Sequence, residues 1–144
     1  MKELIVSLLM YISQNTGLVY DGKDVPMIQF VSKVQLVSIQ HQGDVPSGFD
    51  YKTSGAIGLY NHENDTIYLA HSIDEKSEYG KSVLLHELTH YLQYQNNLYE
   101  KSRCIEELEP LAYKTQNKYL EEHGVDAKFS ERHIFFASLC PDSY

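Results

Sequence analysis

An α+β fold is what this sequence predicts, and three observations carry the prediction. Apolar runs with partial alternation and turn residues cluster in the first half, where strands are expected. The second half reads at helical spacing from residue 77 almost to the end. Between and within these helical runs stand the expected boundary signals: Ser130 as an N-cap, Pro110 in a first turn and Gly124 as a stop.

Taken in order, the chain opens with an amphipathic helix over residues 2–14 that ends at Gly17. Residues 27–39, rich in Val, Ile and Phe, read as one or two strands. Residues 43–54 form a loop punctuated by Pro46 and Gly48. Residues 55–60 and 66–70 pair as a hairpin around residues 61–65, giving a small sheet. A long helix covers residues 77–97, with no Pro or Gly between Lys81 and Asn97 to interrupt it. Its Leu84, Leu88, Tyr91, Leu92 and Gln95 make a mostly apolar stripe for a core to cover. A second helix runs over residues 106–123, because Pro110 is tolerated only near a helix start. A short last helix, capped by Ser130, holds His133, Ile134, Phe135, Phe136 and Leu139. At 144 residues, the sequence predicts one domain, residues 1–144, with a core of its own.

The long helix carries His86-Glu87-Leu88-Thr89-His90, which reads H-E-x-x-H. At i and i+4 the two imidazoles project from one face, one turn apart. That separation lets two ring nitrogens share one zinc ion at roughly 2.0–2.1 Å each. Glu87, beside the first ligand, can lean over the metal as a general base for water acidified toward a pKa of about 7. The bland alternative is a pair of histidines at the edge of a packed helix, but a coincidental i,i+4 pair seldom brings a glutamate in that slot.

A hydrolytic zinc site needs three protein ligands and an open position. The third is expected from the acidic segment of residues 106–113, on a helix returning beside the first. Glu109 is the first choice and Glu106, one turn earlier, the second. The ordinary role for Glu106 and Glu107 is as acids favoured at a helix N-terminus.

The run of residues 85–93, followed by Glu109-x-x-Ala112-Tyr113-x-x-Gln116, resembles the gluzincin-type metallopeptidases in their smallest form, the minigluzincins. It is similar in particular to a family of small bacterial H-E-x-x-H proteins with an E-x-x-A-Y-x-x-Q second motif. Residues 8–17 and the stretch from Gly58-Leu59-Tyr60 to Ile67-Tyr68-Leu69 share in the resemblance, so it spans most of the chain. The resemblance implies a zincin-like fold, Zn2+ on His86, His90 and Glu109, and Glu87 as general base. It also implies that an edge strand over residues 56–60 pairs with an extended peptide substrate; a plain scaffold strand is the alternative. One departure is visible. Many gluzincins carry an acid four positions after the ligand glutamate to orient a zinc histidine, and here that position is Tyr113. Orientation is then expected from a backbone carbonyl, from Tyr113 itself, or from another carboxylate such as Glu106.

Peptide hydrolysis also develops an oxyanion, at which a second donor is usually aimed. His133, Arg132 and Tyr113 are the candidates, His133 the first of them, although a lone histidine beside an apolar run is commonly a core-edge residue. His41, His62, His71 and His123 read as surface residues. The net charge of −8, with no basic block, argues against nucleic acid and anionic membranes as partners. Residues 4–12 are too short to span a bilayer and lack a cleavage signal. The chain thus reads as cytoplasmic, or as exported with its leader already removed. Cys104 and Cys140 fit either a disulfide beside the metal site or two buried thiols. The expected function is a zinc-dependent peptidase acting on a peptide or protein; the rival is a latent or non-catalytic zinc-stabilised binding or regulatory module.

Overall fold

The protein's structure is a computed structural model describing residues 1–45, 47–48, 57–126 and 128–141. It is an α+β arrangement with helix α1 (Lys2–Thr16), strand β1 (Met27–Val31), helix α2 (Lys33–Gln40), strands β2 (Gly58–Asn61) and β3 (Thr66–Ala70), and helix α3 (Glu78–Gln95). One turn, α4 (Leu98–Lys101), and a 3-10 turn over Ile105–Leu108 lead into α5 (Glu109–Glu122) and α6 (Glu131–Ala137).

Gly17 ends α1 in the left-handed conformation at φ 79°, with its N–H on the Ser13 carbonyl. The strand expectation for residues 27–39 is half right. Residues 33–40 are helix, because Ser32 and Gln35 form a reciprocal capping box: each side chain accepts from the other's backbone N–H. Two satisfied donors at that terminus outweigh the β-branched composition, and Leu36 and Val37 turn inward. The expected loop over residues 43–54 and the start of the 55–60 strand, including Ala56, fall largely outside the described residues.

The sheet has the order β1-β3-β2. β3 lies in the middle, parallel to β1 and antiparallel to β2, with Tyr60 opposite Ile67 and Gly58 opposite Leu69. Among the described residues β2 is therefore an edge strand.

Helix α3 is the centre of the molecule, packed on α1, α5, β2 and β3. Leu84, Leu85, Leu88 and Leu92 are fully buried, and residues 82–89 are buried without exception, so the helix is covered nearly all round rather than along one stripe. Gln95, expected on that stripe, is exposed. At the start of α3, Ser77 accepts from the Gly80 N–H at 2.9 Å. Gly80 itself is required by contact: a Cβ there would meet the Asp74 carbonyl oxygen at 1.8 Å. Pro110 sits in the first turn of α5, and Gly124 follows its end at φ 71°. Cys104 and Cys140 are joined in a disulfide, so the bridge expectation rather than the free-thiol one holds, and the bond ties the chain after α6 to the entry of α5. Among the described residues no helix is long and apolar enough to cross a membrane.

Candidate metal centre

His86 and His90 lie one turn apart on α3, and the crossing of α3 with α5 brings Glu109, the first residue of α5, between them. The Glu109 Oε1 is 3.4 Å from His86 Nε2 and accepts a short hydrogen bond from His90 Nε2. Ligands about 2.05 Å from a tetrahedral ion stand about 3.4 Å from one another, a separation that the His86–Glu109 pair matches and the shorter His90–Glu109 contact does not. One ligand atom from each of the three residues falls within 4.8 Å of the others. Glu106 lines the same cleft but is outside this group, which favours Glu109 for the third place. Cys104, Glu107 and Cys140 also stand close together, but both sulfurs are committed to each other.

The electrostatics are those of a buried ion pair. Burial lowers the affinity of His90 for a proton, but the Glu109 carboxylate overrides it and holds the imidazole up at about 9. Burial likewise works against an ionised Glu109, and hydrogen bonds from His86 and His90 overcome it, holding the carboxyl well below the usual carboxylate range.

What orients the rings is not what the sequence led us to expect. The Nδ1–H of His86 donates to Gln116 Oε1 at 2.9 Å, and that of His90 to Gln93 Oε1 at 2.9 Å. Neither a backbone carbonyl, nor Tyr113, nor Glu106 has the task. Both Nε2 atoms are thereby turned toward Glu109. Tyr113 instead sets its ring edge-on to His86, with centroids 4.5 Å apart.

Glu87 is 8% exposed, and burial pushes its carboxyl up, only partly offset by the nearby imidazoles. The backbone N–H of Tyr60, on strand β2, lies near enough to favour its ionised form slightly. Gly58 permits this approach: a Cβ there would stand 3.1 Å from Glu87 Oε2 and 3.2 Å from its Cγ. At Gly58 one face of β2 packs closely on the motif helix, and no sequence signal announced it.

The cleft above these groups has a volume of about 830 Å3 and is lined by no Lys or Arg among the described residues. That is within the range, roughly 300–1,000 Å3, of sites that bind small ligands or short peptide stretches. His133 is exposed and lines the cleft, its ring 5.0 Å from that of Tyr113, so it stands behind Tyr113 rather than against the ligands. Arg132 lies over the Phe136 ring at 5.7 Å. Tyr113 is the candidate donor closest to the ligands. Its hydroxyl meets no hydrogen-bonding partner among the described residues, and burial together with Glu109 and Glu87 pushes its pKa up to about 12, so it stays protonated. Of the histidines read as surface residues, His41 lines the cleft and His62 stacks on Tyr94 at 4.5 Å.

No curated protein and no solved structure matches this chain. Residues 1–143 match one family, described as "Domain of unknown function (DUF6647)". With a match over all but the last residue, the chain belongs to the DUF6647 family.

Proposed function

We propose that this chain is a zinc-dependent hydrolase of the gluzincin type, with a zincin-like fold, that cleaves peptide bonds. The observation that carries the reading is the convergence of two Nε2 atoms and one carboxylate on a single point, with Glu87 beside it at the foot of an open cleft. Zinc bound by His86, His90 and Glu109 would supply a Lewis acid that polarises a carbonyl and acidifies water.

The chain's own residues supply the rest. Glu87, its carboxyl pushed up by burial, accepts the proton of the attacking water and returns it to the leaving amine. Gln116 and Gln93 keep the imidazoles turned toward Glu109, where the ion would be held. Tyr113, protonated through the neutral range, offers an O–H to the charge that develops on the carbonyl oxygen; His133 is the more remote candidate for that work. The edge strand β2 offers backbone groups along which an extended peptide can lie.

The test is Glu87→Gln. It should abolish cleavage of a peptide library while zinc content stays at one per chain, and full activity in that variant would overturn the mechanism. A second reading, a zinc-stabilised binding or regulatory module, is favoured by the low exposure of Glu87 under β2. On that reading chelation lowers the melting temperature, and no peptide is cut with or without the metal.

A further inference from the structure

A histidine bound to a metal through one nitrogen must place the other, and here the placement forms a directed circuit. Gln93 follows His90 by one turn on α3, takes its Nδ1–H, and donates its own Nε2–H to the Leu108 carbonyl at 2.9 Å. A carbonyl only accepts, so this amide cannot be reversed. Leu108 is the residue before Glu109. A single amide therefore ties the ring of one candidate ligand to the backbone next to another.

Gln116, on α5, does the reciprocal work. It accepts from His86 Nδ1 and donates Nε2–H to Ser82 Oγ at 3.2 Å, one turn before His86 on α3. Ser82 in turn donates its O–H to the Tyr79 carbonyl at 2.6 Å. One amide reaches from α3 to the root of α5, and the other from α5 back to α3. Sliding the two helices past each other would break both. Gln93 is 1% exposed and Gln116 2%, so a broken bond there could not be replaced by bulk water.

Resting on the metal reading above, we infer that Gln93 and Gln116 are positioning residues that preassemble the site. They hold His86 and His90 with Nε2 toward Glu109 before any ion arrives, through neutral amides where an acid would be expected. An amide oxygen accepts the Nδ1–H but takes up no proton, so the rings do not reverse. The orienting role passes from position 113 to position 116, one turn along α5, and Tyr113 is released to face the cleft.

The experiment measures zinc affinity by competition with a chromophoric chelator, together with far-UV and near-UV circular dichroism of the metal-free chain. Gln93→Met and Gln116→Met keep the side-chain length but remove the acceptor, and each should weaken zinc binding about 10- to 100-fold. Gln116→Glu should bind at least as tightly as the wild type, because a carboxylate oxygen accepts the same proton and the Ser82 hydroxyl can turn to donate. Ser82→Ala removes only the anchor of Gln116 and should give a smaller loss; it serves if a Met variant does not fold. The metal-free wild type should keep the near-UV signal of the zinc-loaded chain. A wild type that binds zinc while both Met variants bind it equally well overturns the inference and leaves the metal reading standing, as does a metal-free chain without fixed tertiary signal. A wild type that binds no zinc overturns the metal reading itself.

Discussion

Zinc binding to the metal-free chain should release close to one proton at pH 7, and the ring that loses it is His90. Burial alone would lower this imidazole from 6.5, but the Glu109 carboxylate accepting from Nε2–H holds it at about 9. An ion that takes the Nε2 lone pair must first displace that hydrogen. At pH 7, about two units below the pKa, roughly one ring in a hundred is free, which costs zinc binding roughly 3 kcal/mol. Apparent affinity should therefore climb about tenfold per pH unit from 7 to near 9 and then level; an ordinary imidazole would level by about pH 7. Chelator competition across pH gives the slope, and calorimetry in buffers of differing ionisation enthalpy counts the protons. A chain that binds zinc with affinity flat above pH 7.5 would refute the argument.

The same ion pair fixes the sign of the stability change in the metal-free chain. His90 has a raised pKa, so its contribution is full below 6.5 and is lost as pH rises through about 9. Glu109 has a depressed pKa, so its contribution is full above 4.5 and is lost as pH falls toward its folded value. The two describe one interaction and do not add. The melting temperature should fall between pH 7 and pH 10, and zinc should remove most of that dependence.

Two further outcomes follow from particular contacts. Gly58→Ala places a methyl within 3.1 Å of the Glu87 carboxylate and 3.3 Å of Val83; the few tenths of an ångström that must give should lower kcat about tenfold with zinc content unchanged, and an unaltered kcat would contradict the role given to Glu87. Replacing both Cys104 and Cys140 by Ser opens a loop of sequence separation 36; the loss of loop constraint is worth about 4 kcal/mol, or about 10 °C in Tm for a chain of this size. Equal melting of the two proteins would show that the bond constrains little.

Local signals were readable wherever a residue acts on its own neighbours. Ser130 caps α6 as expected, and Pro110 and Gly124 bracket α5. H-E-x-x-H placed His86, Glu87 and His90 because helical spacing alone puts them together. Residues 33–40 were misread because Val and Ile outweighed the Ser32–Gln35 pair, although that capping box was itself in plain view. Gln93 was also within reach, since a residue three after His90 must lie one turn away on the same face. Gln116 to His86 and Gly58 to Glu87 were not. Each depends on how two distant elements cross, and no periodicity encodes that.

The Cys104–Cys140 bond has a topological consequence for the site. Glu109, Tyr113, Gln116 and His133 all lie inside the covalent ring it closes, whereas His86, Glu87, His90 and Gln93 lie outside. A protease that nicks the chain between the two cysteines leaves fragments that still travel together. A cut just ahead of Cys104 instead parts the carboxylate half of the centre from the imidazole half, with packing as the remaining link between them.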